Sequence, residues 1–349
     1  MNKFLLFRYT GLFAIFFMLS LGLGYAPLNR YDPTLIPGLS DIIFYADIVK
    51  NGPDFFVDES LGIKTRLLSP SFSHLFYILL PQFGTMNAVS AAMLVGNSIF
   101  TALSVVLIFD IIHGFFRDSN IALTAGFLFI TSFFITNSYL VGSIDAAYGF
   151  FFLVLYSAII RDKWFLLPFI MIFGCLTKEA FLPVASAFVM FTLIHQIFSS
   201  GRMPLSRILM FLSMLVSGSA TIVMQNFLVY GSMSLPWAML PAIEINVEST
   251  ELNFGVSVLS VSLDLFRFFL TLGLLLLLCL ASLQKYPAWF LTGNVGTIFI
   301  VFPLGAYMSL GGANMTGVDY ARFLFSPAAL LLCGAAAMTI SKFQIKLSK

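Results

Sequence analysis

MNAVSAAMLVGNSIFTALSVVLIFDII, residues 86–112, holds one charged side chain, Asp110, in 27 residues. A helix crosses a bilayer with roughly 20 apolar residues, so this run is long enough to span one. The same rule along the chain marks about ten stretches: 4–24, 86–112, 121–140, 146–160, 164–177, 180–198, 208–229, 256–283, 288–309 and 324–341. The fourth and fifth are short, which leaves room there for tilted, broken or partly re-entrant helices. The first has Lys3 and Arg8 near its start, like a signal peptide. Its length and the want of a small-residue cleavage site favour a first membrane helix.

The rest of the composition agrees. Of 349 residues, 59% are hydrophobic and 10% charged, with 41 Phe spread from end to end. A soluble domain carries about 25% charge, so this chain has too little to solvate a globular surface. Soluble enzymes, secreted disulfide scaffolds, disordered chains and basic nucleic-acid binders are excluded as classes. Cys175, Cys279 and Cys333 fall inside apolar stretches without a C-x-x-C or Cys/His cluster, as small packing residues do. The expected fold is all-α and polytopic, a single membrane domain over 1–349 with about ten transmembrane helices.

Basic residues near short loops stay on the cytoplasmic side. With the N-terminus inside, 11 of the 18 Lys and Arg side chains fall on cytoplasmic loops and 12 of the 16 acids fall outside. Both chain ends are then cytoplasmic. The cytoplasmic loops are short, while outer loops run over 25–69, 231–255 and 310–320. Chemistry is expected on the outer face, the periplasmic one in a bacterial inner membrane.

The first outer loop contains PGLSDIIFYADIVKNG, residues 37–52. Pro37 and Gly38 break the chain and Ser40 is a candidate N-cap. Ile42, Ile43, Ala46 and Val49 recur at helical spacing until Gly52. These features predict a short amphipathic helix on the membrane surface. Asp41 and Tyr45, four apart, are expected to share its opposite, polar face. An acid in a first turn also suits the helix dipole, an ordinary reading of Asp41 worth about 0.3 to 1 kcal/mol.

The order Asp41, Tyr45-Ala46, Gly52 directly after a first membrane helix resembles the first external loop of the GT-C superfamily. These are integral membrane glycosyltransferases that use polyprenyl-phosphate-linked sugars, among them protein O-mannosyltransferases and aminoarabinose transferases. TRLLSPSFSHLFYILLP (65–81) is similar to the family's Arg-x-x-x-Pro stretch, with Arg66 and Pro70 in place. GSIDAAYGFFF (142–152) puts Asp145 at the outer mouth of the fourth span. LTKEAFLP (176–183) resembles the family's Lys/Arg-Glu pair, here Lys178 and Glu179. DYARFLFSPAALLL (319–332) resembles the Arg-aromatic stretch opening the last span, with Arg322 and Phe323 where Arg-Tyr is commoner. The resemblance implies a sugar transferase with a polyprenyl-phosphate-sugar donor and a glycan, glycolipid or protein acceptor. Many members add a soluble C-terminal domain or extra spans, whereas Lys349 falls just after the last expected span here.

The chemistry needs these residue types. A carboxylate must take the acceptor hydroxyl's proton, and cations must hold the departing phosphate as its charge grows. Asp41 is the candidate base. Arg66, Lys178 and Arg322 are candidate phosphate holders, Arg322 foremost because its planar fork suits phosphate oxygens. Tyr45, Asp145 and Glu179 complete the candidate substrate-binding set, and Asp47 is a reserve base. With one base and no second nucleophilic carboxylate evident, transfer is expected to invert the anomeric carbon. No cofactor is expected, and with His74 the single outer His a metal site is poorly supported. Plainer roles stand beside each: a structural ion pair for Lys178 and Glu179, a headgroup anchor for Arg66, a helix N-terminal charge for Asp145. Asp264 and Arg267, three apart inside a span, are expected to pair, since a lone charge there costs at least ~2.5 kcal/mol. The rival functions are a lipid or glycolipid flippase and a non-catalytic membrane partner of the same fold.

Overall fold

The computed structural model describes residues 3–30, 40–52, 66–79, 86–142, 144–200, 204–230, 254–283, 296–298 and 317–347. The long helices among them are α1 (Lys3–Arg30), α2 (Ser40–Asn51), α3 (Leu68–Leu79), α4 (Ala88–Phe116), α5 (Ser119–Ile130), α6 (Asp145–Ile160), α7 (Leu167–Thr177), α8 (Phe181–Ser200), α9 (Leu205–Tyr230), α10 (Phe254–Leu283) and α11 (Gly317–Leu347). A π-helical turn at Ile135–Tyr139 lies between α5 and α6, and a 3-10 turn at Trp164–Leu166 leads into α7. The fold is an all-α membrane protein. Among the described residues, five segments are long and apolar enough to cross a bilayer: Phe7–Leu28, Ala88–Phe116, Phe181–Ser200, Leu205–Val229 and Leu324–Ser341.

Several expected boundaries move. The stretch 121–140 is not one helix, because α5 stops at Ile130 and the chain re-coils at Ile135. Thr131 Oγ donates to the Phe127 carbonyl at 2.7 Å and Asn137 Nδ2 to the Phe133 carbonyl at 2.9 Å. Thr101 and Ser104 make the same bond inside unbroken α4, so these bonds accompany the break and do not by themselves cause it. α1 continues through Pro27 to Arg30, so the expected loop at 25–69 begins inside a helix. α11 begins at Gly317, inside the expected connection 310–320. The stretch 231–253 and most of 288–309 lie outside the described residues.

α4 is the central helix and packs against α1, α3, α5 and α6. Ala91, Ala92 and Ala102 on it are at most 1% exposed, and small residues let helix backbones approach closely in membranes. α11 uses the same device, with Ala328, Ala329 and 335–337 buried against α5, α6 and α10. Large apolar side chains such as Phe198, Val216 and Leu270 are left on the outside, where lipid rather than water solvates them.

Polar side chains gather at two ends of this bundle, and α6 runs from one to the other. At its C-terminal end, Arg161 pairs with Asp110 of α4, which also accepts from Tyr9 at 2.6 Å. Arg8 reaches Ser119 at 2.8 Å, and Arg207 reaches Asp162 at 2.9 Å. The N-terminal end of α6 carries the residues singled out by sequence.

Candidate functional site

α2 lies against α3 and α4. Its apolar residues Ile42, Ala46, Ile48 and Val49 are at most 7% exposed, which accounts for the helix forming where the spacing predicts it. Gly52 ends it with φ +62°, a left-handed conformation that favours glycine. His74 of α3 closes over that turn, its Nδ1 2.6 Å from the Val49 carbonyl.

Tyr45 corrects the sequence expectation. It is not on a polar face but 2% exposed, in one cluster with Ile42, Ala46, Val49, Met93 and Ile144. An aromatic ring is mostly apolar surface, and burying it is favoured once the hydroxyl finds a partner. That partner is Arg66, whose Nη1 donates to the Tyr45 oxygen at 2.9 Å. Beneath α2 a narrow crevice, too tight to hold a water molecule, is bordered by Tyr45, Ser73, Met93, Asn97, Gly142 and Ile144. Ser69 donates to Asn97 beside it at 3.2 Å.

The remainder of the Arg66 fork goes to Glu179. Nε lies 3.0 and 3.2 Å from the two carboxylate oxygens and Nη2 lies 2.5 Å from one. Two-point contact of this kind is a strong form of ion pair. Burial works against charge on Glu179, but the Arg66 hydrogen bonds and charge outweigh it and hold the carboxyl below its ordinary range. Burial likewise works against the Arg66 charge, and Glu179 with Tyr45 more than offsets it, so the guanidinium holds its proton more tightly than a free one.

Lys178 turns the other way. α7 ends at Thr177, and Lys178 adopts an extended backbone with φ −159° and ψ 128°. Its ammonium is buried 3.4 Å from Asp145 Oδ1 and 5.3 Å from the Tyr148 ring centre. Asp145, the first residue of α6, accepts at Oδ2 from Ser138 Oγ at 2.5 Å. Asp145 therefore sits at a helix N-terminus and in a buried ion pair at once. The neighbouring Tyr139 shares a 2.7 Å hydrogen bond with Ser326 of α11.

Five of the seven residues chosen from sequence, Tyr45, Arg66, Asp145, Lys178 and Glu179, thus meet at one end of the bundle in two adjoining ion-pair networks. Lys178 and Glu179 are both ion-paired, but with Asp145 and Arg66 and not with each other. Asp41 lies in the first turn of α2, one turn ahead of Tyr45, and Arg322 lies in α11, one turn ahead of Ser326. The side chains of Asp41 and Arg322, like those of Asp264 and Arg267 in α10, lie outside the described residues. Asp47 is pushed above the ordinary aspartate range by partial burial, with Lys50 opposing. Sequence reasoning does not single out Ser138, Tyr139, Tyr148 or Ser326; the polar NSY run at 137–139 inside an apolar stretch is a signal for the first two and none marks the others.

Chemically, the described part of this site is charge-compensated: two cations face two carboxylates, and one tyrosine hydroxyl links the cationic fork to the helix bearing Asp41. No family model, curated protein or solved structure matches the chain in comparison searches.

Proposed function

We propose that this protein is a GT-C-type membrane glycosyltransferase that moves one sugar from a polyprenyl-phosphate carrier to an acceptor hydroxyl. The observation that carries this reading is the convergence of Tyr45, Arg66, Asp145, Lys178 and Glu179, from four separate segments, at a single end of the bundle. Sequence order alone does not require it. The protein would cross the membrane about ten times and hold this end toward the periplasm or exterior, as the distribution of basic residues implies. In this reading Asp41 takes the acceptor proton as the bond to the anomeric carbon forms, with inversion. Arg322 grips the phosphate as its bond to the sugar breaks. Arg66 and Lys178 contribute to phosphate binding only while shared with Glu179 and Asp145, so their first effect is to hold α2 and α6 in place.

That same compensation favours a second reading, a non-catalytic membrane partner whose paired charges only fasten helices together. One experiment separates the two. Lipid and glycan mass spectra are compared among cells carrying the wild type, Asp41→Asn and no gene. The enzyme predicts a single-sugar increment present only with the wild type, at equal membrane levels of both proteins. An increment retained in Asp41→Asn removes Asp41 as the base, and spectra identical in all three remove the enzyme.

A further inference from the structure

We infer that Tyr139 and Ser326 are positioning residues that fix the first turns of α11, and with them the backbone carrying Arg322. The inference rests on the phosphate-holding role proposed above for Arg322, and it adds the device that keeps that residue in place.

The need for such a device follows from Pro327. A proline inside a helix has no N–H to donate, so the carbonyl four residues earlier, that of Phe323, loses its helical partner. Arg322 precedes that weak point. The segment 317–326 is therefore joined to the rest of α11 by a depleted hydrogen-bond ladder, where helices bend.

Three features restrain the segment at the residue next to the proline. Ser326 Oγ lies 2.7 Å from Tyr139 Oη, both groups being buried. Phe325 is 0% exposed, with ring centres of Phe134, Phe129 and Tyr139 at 5.1, 5.8 and 6.2 Å. Gly149 of α6 leaves the space the tyrosine hydroxyl fills: a Cβ there would stand 2.2 Å from Tyr139 Oη.

The other side of the restraint is equally defined. Tyr139 closes the π-helical turn, and such turns inside helical proteins are frequent at functional sites. Ser138, beside it in that turn, bonds Asp145, which holds Lys178. The turn thus faces both ways, toward the Asp145–Lys178 pair through Ser138 and toward α11 through Tyr139. Because Ser326 and Arg322 are four apart, they share one face of α11. Fixing Ser326 fixes the direction in which the Arg322 backbone presents its side chain.

Tyr139→Phe, Ser326→Ala and Gly149→Ala are compared in the full-length protein in nanodiscs, with Ser326→Thr retaining the hydroxyl and Arg322→Ala as reference. The readouts are hydrogen exchange of 317–326 against 328–338, and binding of undecaprenyl phosphate. The first three variants should raise exchange in 317–326 several-fold while 328–338 stays as in the wild type. They should weaken undecaprenyl phosphate binding about 3- to 10-fold, with Arg322→Ala weakening it more and Ser326→Thr restoring both readouts. Unchanged exchange in Tyr139→Phe and Ser326→Ala overturns the inference. So does raised exchange with wild-type binding in these variants when Arg322→Ala alone abolishes binding. A wild type that shows the expected exchange pattern but no undecaprenyl phosphate binding sinks the donor proposal and leaves the restraint on α11 standing.

Discussion

Lys178 and Glu179 are consecutive in the chain, yet their charges are spent on different helices: Lys178 on Asp145 of α6 at 3.4 Å, Glu179 on Arg66 ahead of α3 at 2.5 Å. The extended backbone at Lys178 explains the divergence, since neighbouring side chains of an extended chain point to opposite sides. The short turn between α7 and α8 is therefore a junction. It ties the α2–α3 layer to the membrane helices through one residue and the start of α6 through the next.

The Arg66–Glu179 pair should behave as a unit. Glu179→Gln or Arg66→Gln removes a charged two-point contact and should lower stability by about 1.5–3 kcal/mol, because hydrogen bonds to charged groups are worth that much. Arg66→Glu and Glu179→Arg should each cost more, and the double exchange should recover part of the loss. Thermal unfolding of the detergent-purified protein measures all five. Additive losses in the double variant would mean that the two side chains do not communicate.

The Asp145–Lys178 pair should respond differently because it is buried. Removing one partner leaves an uncompensated charge, and Asp145→Asn or Lys178→Met should cost about 3–5 kcal/mol. Removing both should cost less than either single change, since desolvation of both charges disappears together. Ser138→Ala, which takes a 2.5 Å donor from Asp145, should fall between wild type and Asp145→Asn. A double variant worse than both singles would exclude this account.

Acid should reveal Glu179. Its folded-state pKa is lowered, so its contribution is fully present above the ordinary glutamate value of 4.5 and is lost as the pH falls through the folded value. Arg66, held more firmly protonated than usual, adds no titration of its own. Asp47 works in the opposite sense: a raised carboxyl opposes folding above its ordinary range and relents as the pH falls. The apparent melting temperature should be level from about pH 8 to 5 and decline below about 4.5. Glu179→Gln should flatten that decline and Asp47→Asn should steepen it. A decline of equal slope in Glu179→Gln would assign the acid limb to other carboxylates.

Which of these features were legible beforehand follows from the physics of each signal. Hydropathy depends on composition alone, so the helices at 86–112, 180–198 and 208–229 were readable within a few residues. The break at Ile130 was not, because residues 130–135 carry neither proline nor glycine and stay uncharged across it. α2 was readable from Ile42, Ala46, Val49 and Gly52, but Tyr45 was assigned to the wrong face. A tyrosine scores as polar or apolar according to whether a partner such as Arg66 is at hand, and that partner is 21 residues away. Likewise the adjacency of Lys178 and Glu179 suggested a local pair, while their true partners are 33 and 113 residues distant. Long-range pairing of polar groups leaves no periodicity to read.

Gly52 offers the last test, because two independent constraints meet there. Its φ of +62° costs a residue with a Cβ about 1–2 kcal/mol, and a Cβ at that position would stand 2.6 Å from His74 Nε2. Gly52→Ala should therefore lower stability and loosen α2, seen as faster hydrogen exchange over 42–50 with α4 unaffected. Adding His74→Ala removes the collision but also the 2.6 Å contact to the Val49 carbonyl, so the double variant should recover only in part. Within the His74→Ala background, Gly52→Asn should be better tolerated than Gly52→Ala, because asparagine enters the left-handed region more readily. If Gly52→Ala leaves both melting temperature and exchange at wild-type values, α2 is not held by this turn. Asp41 would then depend for its placement on the buried apolar face of α2 and the Tyr45–Arg66 contact.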